Sequence, residues 1–260
     1  MIKRSRRTGA SFALAAAVAR TGLTALRAAA PGGRDRWERK NHAGRMVGLY
    51  AGPASAVAVA VAVAVAVGAG RARPAAGLAV LAAGVCGAYD DVAGAQDPRR
   101  GFRAHLTALR DGEVTGGAVK LFGICGAGLL AGAVMKERPL DKVLAGVVIA
   151  GAAHLVNLVD VRPGRAAAVV LALGAPGLLR QGPGAETAAA AMGAAAAVLP
   201  DDVAGRTMLG DTGAHALGAA LGAAVVEGNG RAGLAAHAVA LVAAAVCGDR
   251  VSQLARHSCE

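Results

Sequence analysis

Charged and turn-forming residues divide the chain into nine apolar runs, at about 9–30, 46–68, 74–89, 115–135, 140–158, 165–180, 186–200, 208–226 and 232–248. Each run is long for a strand, and several approach the roughly 20 residues that carry an α-helix across a bilayer. From 56 to 67 Val and Ala alternate, which imitates the two-residue period of a strand. Both residues are apolar, so the alternation creates no polar face and the length of the run decides for a helix. The pattern predicts an all-α protein, a multi-pass integral membrane helical bundle of about nine transmembrane helices, forming one polytopic domain over 1–260. Arg20 and Arg27 interrupt the first run. Residues 1–30 therefore read either as a weak first span or as a signal-like segment.

Composition narrows the packing. Hydrophobic residues make up 55% of the 260 and aromatic residues only 2%, so large side chains are too scarce to fill a water-soluble core. Close contact through small residues, 38 of them Gly, suits helices in lipid better. Glycine-rich stretches such as Gly123 to Gly132 belong to that packing, since no strand or Lys-Ser/Thr ending marks a phosphate loop. Cys86, Cys125, Cys247 and Cys259 have no spacing that indicates a disulfide framework or a zinc site. The formal charge of +11 is spread in short clusters between apolar runs, which fits orientation in a membrane and argues against a nucleic-acid partner.

Counting runs gives the arrangement of the polar segments. Asp90 and Asp91 follow the third run, Asp160 the fifth, and Asp201, Asp202 and Asp211 the seventh. Two spans separate each group from the next, so all three emerge on one side. A small excess of Lys and Arg marks that side as cytoplasmic. Of the carboxylates, all but Glu137, Asp141, Glu186 and Glu227 fall there. Acidic residues do little to set topology, so their concentration calls for a chemical reason. Carboxylates beside Arg99, Arg100, Arg103, Arg162 and Arg165 suit Mg²⁺ and phosphate, because magnesium takes one or two carboxylates together with phosphate oxygens and water. Adjacent Asp90 and Asp91 repel each other unless a cation offsets them.

Three segments occur in order: Tyr89-Asp90-Asp91-Val92-Ala93-Gly94, Asn157-Leu158-Val159-Asp160, and Leu209-Gly210-Asp211-Thr212-Gly213-Ala214-His215-Ala216-Leu217-Gly218. Together they resemble the polyprenyl-phosphate N-acetylhexosamine-1-phosphate transferases, the glycosyl transferase family 4 group that contains the lipid I synthase. The resemblance runs from about Asn41 to Gly218, and Thr115 to Lys120 is similar to the start of that family's fourth helix.

This resemblance implies a cell-membrane enzyme with its active face in the cytoplasm. It would transfer a sugar 1-phosphate from a UDP-sugar to a polyprenyl phosphate, undecaprenyl or decaprenyl, and release UMP in a step of cell-wall type biogenesis. It implies Mg²⁺ as cofactor, with Mn²⁺ as the alternative ion, and Asp211 as the metal ligand. Asp90 or Asp91 would be the base that keeps the lipid phosphate deprotonated. Lys120 would bind phosphate, Asn157 and Asp160 would face the nucleotide-sugar, and His215, one helical turn after Asp211, shares its face. Membrane lipids are further partners, and a homodimer stands open beside a monomer. The Asn/Asp segment departs from the family, since Pro163 stands where a second Asp is usual. That departure supports an alternative, a catalytically inactive member acting as a membrane scaffold or partner subunit. For Lys120 the bland alternative is a side chain snorkelling to headgroups. His105, His154 and His237 read as loop or packing residues.

Overall fold

The computed structural model describes residues 2–41, 43–66, 70–93, 107, 108, 110–113 and 115–257. Its helices are α1 (Ile2–Ala29), α2 (Arg34–Trp37), α3 (Ala51–Val65), α4 (Ala72–Ala93), α5 (Gly116–Met135), α6 (Pro139–Val159), α7 (Arg165–Leu178), α8 (Pro183–Val203), α9 (Gly210–Gly228), α10 (Arg231–Val246) and α11 (Gly248–His257). Each of the nine apolar runs contains a helix, the second opening on a short strand before α3, and α3 takes up the alternating Val/Ala residues 56–65. Among the described residues the protein is all-α apart from one short hairpin. Four helical stretches are long and apolar enough to cross a membrane: Arg6–Ala29, Ala72–Val92, Gly116–Met135 and Pro139–Val159. A fifth is Arg231–Val246 taken with Gly248–Arg256, which turns away by 79°. With 15 and 14 residues, α3 and α7 extend only about 21–23 Å at the helical rise per residue, short of the roughly 30 Å of bilayer hydrocarbon.

At the centre stands α9, buried on all sides from Thr212 to Ala224. Its neighbours are α3, α4, α6, α7 and α8; α5 packs on α4 and α6, α10 on α6, and α1 on α3 and α8. Glycine sets these distances. A methyl group on Gly218 would collide with Ala152 and Ala153 of α6, and one on Gly222 would lie 2.6 Å from the Ile149 Cα. Gly128 of α5 would meet the Gly146 carbonyl of α6 at 2.8 Å. Gly193 of α8 lies as close to the Phe12 backbone of α1. Backbones that approach this far gain dispersion contacts along their whole length, which suits a chain with so few large side chains.

The hairpin, β1 (Glu38–Lys40) paired antiparallel with β2 (Met46–Gly48), is too short to register as strands: β1 is polar and β2 falls inside the second apolar run. Its turn is built by Asn41, whose Oδ1 accepts from the Ala43 and Arg45 amides at 3.0 and 2.9 Å, the local bond that favours Asn in turns. It is fastened to the loop before α9, where Met208 N and Thr207 Oγ1 donate to the Gly48 carbonyl at 3.0 and 2.7 Å.

Gly218→Val should lower the melting temperature in detergent, as overpacking costs about 1–3 kcal/mol. Gly126, where a methyl group would have nothing within 4 Å, is the control. Gly126→Ala should leave melting unchanged or raise it by up to about 1 kcal/mol. Equal melting of both variants would show that the α6–α9 contact does not govern stability.

Candidate functional site

The residues singled out along the chain meet at one end of the bundle. The backbone geometry explains how. Gly87 of α4 lies so close to α9 that a methyl group there would strike the backbone of Asp211 and Thr212, and Gly52 of α3 is likewise pressed against Leu209, Thr212 and Gly213. One turn beyond Gly87, on the same face, is Asp91.

Asp91 serves as the cap of α9. Its Oδ1 accepts from Asp211 N at 3.0 Å, and its Oδ2 accepts from Thr212 N at 3.0 Å and Thr212 Oγ1 at 2.6 Å. The residue in the capping position of α9 itself is Leu209, which has no side-chain acceptor, so a carboxylate from another helix supplies what the exposed amides and the positive end of the helix require. Gly210, with φ +61°, takes the left-handed turn into the helix without strain. Arg39 of the hairpin closes the other end of the contact by donating from Nη2 to the Asp91 carbonyl at 2.5 Å.

Asp90 points elsewhere. Lys120 donates from Nζ to Asp90 Oδ2 at 2.8 Å and also pairs with Asp211 Oδ2. Thr115 fixes this lysine, since its Oγ1 caps α5 by accepting from Ala118 N at 3.1 Å. Asn157, in the last turn of α6, donates from Nδ2 to Asp211 Oδ1 at 2.8 Å. The expected repulsion between Asp90 and Asp91 is thus relieved by two different partners, an ammonium and a helix N-terminus. Lys120 is engaged with carboxylates inside the cluster.

Asp160 follows α6 and has no side-chain hydrogen bond among the described residues. Burial, then the charges of Asp202, Asp211 and Asp91, push its carboxyl well above the usual carboxylate range. Asp202 is turned inward, its Oδ2 accepting from Gly164 N at 3.0 Å, so it holds the turn that contains Pro163. His215 is buried, and its Nδ1 lies 2.7 Å from the Asp211 carbonyl. A carbonyl only accepts, so Nδ1 carries the proton, and the ring supports the backbone under Asp211. His154 is half-buried, and His237 bonds the Gly233 carbonyl of its own helix at 2.7 Å. Gly94, Arg99, Arg100, Arg103 and His105 lie outside the described residues.

Sequence reasoning placed Thr212, Arg39 and Asp202 on this side but gave none of them a role. A signal existed for Thr212: a helix that begins Leu-Gly-Asp-Thr lacks a capping side chain in the right place, so its first amides need an acceptor from elsewhere.

The arrangement offers carboxylates to a cation. Among the described residues no set of three His, Cys, Asp or Glu converges to hold a metal unaided. Asp90 and Asp211, however, place oxygens on one ammonium, and two carboxylates completed by phosphate oxygens and water are a normal magnesium environment. The residues present fit Mg²⁺ as an ion bound together with a phosphorylated substrate.

Two measurements follow. Asp91→Ala should lower the melting temperature by the equivalent of about 1–2 kcal/mol, the usual loss of a helix cap, whereas Asp90→Asn should change it little; equal effects would remove the capping role. Asp160 binds its proton more tightly in the folded chain than in the unfolded one. Stability should therefore fall as pH rises from about 4, the unfolded value, through the higher folded value, and Asp160→Asn should flatten that slope. Parallel melting curves of parent and variant across this range would refute it.

No protein-family model matches the chain, and no curated protein matches it either.

Proposed function

We propose that the protein is a Mg²⁺-dependent phosphotransferase of the cell membrane that moves a sugar 1-phosphate from a UDP-sugar to a polyprenyl phosphate and releases UMP. The observation that carries this reading is the shared cluster of Asp90, Lys120, Asn157 and Asp211. The segments that resemble the transferases supply its members, and they come from four separate helices. In the proposed topology nine spans place this end of the bundle in the cytoplasm, where nucleotide-sugars are found.

In the reaction an oxygen of the lipid phosphate forms a bond to the sugar-bearing phosphorus as the bridging oxygen departs with UMP. Asp90 stands at the rim of the cluster as the base that keeps the lipid phosphate ionised, and Asp91, committed to α9, positions it. Lys120 attracts the phosphate groups once substrate draws it from the carboxylates. Asn157 holds Asp211 in one orientation toward the metal position. Asp160, with no side-chain hydrogen bond among the described residues, is available to the sugar or nucleotide. Bound Mg²⁺, or Mn²⁺ in its place, offsets charge on the phosphoryl oxygens during the displacement.

A specific observation favours a second reading. Both oxygens of Asp211 already have protein donors, Lys120 and Asn157, and a self-satisfied cluster with Pro163 beside it suits an inactive scaffold or partner subunit. Turnover separates the two. Membranes containing the protein, given labelled UDP-sugars, undecaprenyl phosphate and Mg²⁺, should release UMP and form a labelled lipid. Asp211→Asn and excess chelator should each abolish release, and Asp90→Asn should slow it by about 10²-fold or more. No UMP above protein-free membranes with any UDP-sugar would leave the scaffold.

Topology has its own test. In a background without the native cysteines, Ala204→Cys should react with a membrane-impermeant thiol reagent from the cytoplasmic side and Gln181→Cys from the other. Labelling of both from one side would remove the nine-span arrangement.

A further inference from the structure

The arginines that interrupt the first apolar run form a cluster of their own. Arg20 pairs with Asp201 Oδ2, Arg206 Nε donates to Asp201 Oδ1 at 2.6 Å, and Arg27 Nη1 lies 3.9 Å from the same oxygen. One carboxylate, 4% exposed, thus serves three guanidinium groups that are 56%, 57% and 39% exposed for Arg20, Arg206 and Arg27. Their remaining bonds go to the carbonyls of Ala197, Pro200 and Arg206, which carry no charge. Arg45 of the hairpin adds a fourth guanidinium against Gly205. Asp202, the adjacent carboxylate, is turned away to Gly164 and neutralises none of this.

The place of this surplus matters. Asp201 is in the last turn of α8, so Arg20 is level with the end of that helix even though it lies well inside the apolar run of α1. Arg27 stands two turns further along and donates to the loop that follows α8. Only 22% of the most apolar 18-residue window of α1 is buried in the bundle, which leaves most of that helix open to lipid in the proposed topology. A cationic group on such a surface reaches the headgroup level and needs an anion there. The groups present are planar forks suited to phosphate oxygens.

We infer that the seam between α1 and the end of α8 is a binding site for the phosphate of an anionic membrane phospholipid, clamped by Arg20, Arg27 and Arg206. The site is separate from the Asp90–Asp211 cluster, and its test uses no substrate, so it stands or falls apart from the transferase reading.

The protein is reconstituted in nanodiscs of phosphatidylcholine with a minor share of phosphatidylglycerol, and retained lipids are counted by native mass spectrometry. Arg27→Gln should weaken phosphatidylglycerol retention about fivefold, and Arg27→Gln with Arg206→Gln by a similar factor again, the effect expected of one basic group near a charged membrane. Arg20 and Arg206 keep both oxygens of Asp201 when Arg27, 3.9 Å away, is changed, so Arg27→Gln should melt like the parent in pure phosphatidylcholine, whereas the double variant, which also loses the Arg206 pair, is read against the Lys pair below. Arg27→Lys with Arg206→Lys should restore most of the retention. Retention unchanged in the Gln variants overturns the inference. So does an equal fall in phosphatidylcholine, which would mark a structural defect, and so does displacement by inorganic phosphate, which would make the seam a site for soluble anions.

Discussion

The Asp91 carboxylate closing the N-terminus of α9 is the contact on which the functional end of the bundle depends. Helix α9 is buried from Thr212 onward, so its first amides have no water to turn to and an unpaired group there would be costly. Leu209 offers no acceptor, and α4 provides one from 120 residues away. The approach is possible because Gly87 lets the α4 backbone touch Asp211 and Thr212. Consecutive residues on a helix point about 100° apart. Once Asp91 is committed to α9, Asp90 must therefore face aside, and that side is where α5 presents Lys120.

Charge then determines which groups are held and which are left over. Lys120 divides its ammonium between Asp90 and Asp211, while Asn157 occupies the second oxygen of Asp211. A carboxylate held by two donors from two helices has one orientation, with or without a substrate. Asp160 is the exception, with carboxylates around it and no donor among the described residues. Burial, and after it the surplus of negative charge at this end, raises its proton affinity. A cation brought with a substrate would relieve that surplus.

The helices were legible because apolar runs of this length can do little else, although only four or five of them are long enough to cross a bilayer. The hairpin was not, since three-residue strands held by an Asn turn leave no periodic trace. The cluster was legible as a set of residues: Asp90, Asp91, Lys120, Asn157 and Asp211 are in contact through shared partners. Their division of labour was not, because adjacency in sequence does not say which of two carboxylates faces which helix. His215 shows the limit of a spacing argument. It does follow Asp211 by one turn, yet the bond it makes is to the backbone of Asp211.

Arg20 was misleading for the same reason in reverse. Read alone, an arginine inside an apolar run speaks against a span, but its cost depends on a partner that the local sequence does not contain. That partner, Asp201, is 181 residues away. Helix α1 belongs to the bundle through this pair and through the close passage of Phe12 over Gly193. The pair also explains the order Asp201-Asp202. On a helix two neighbouring carboxylates face different ways, so one balances the arginines of α1 while the other steadies the turn at Gly164, and α8 joins the outer seam to the central cluster without bringing their charges into direct contact.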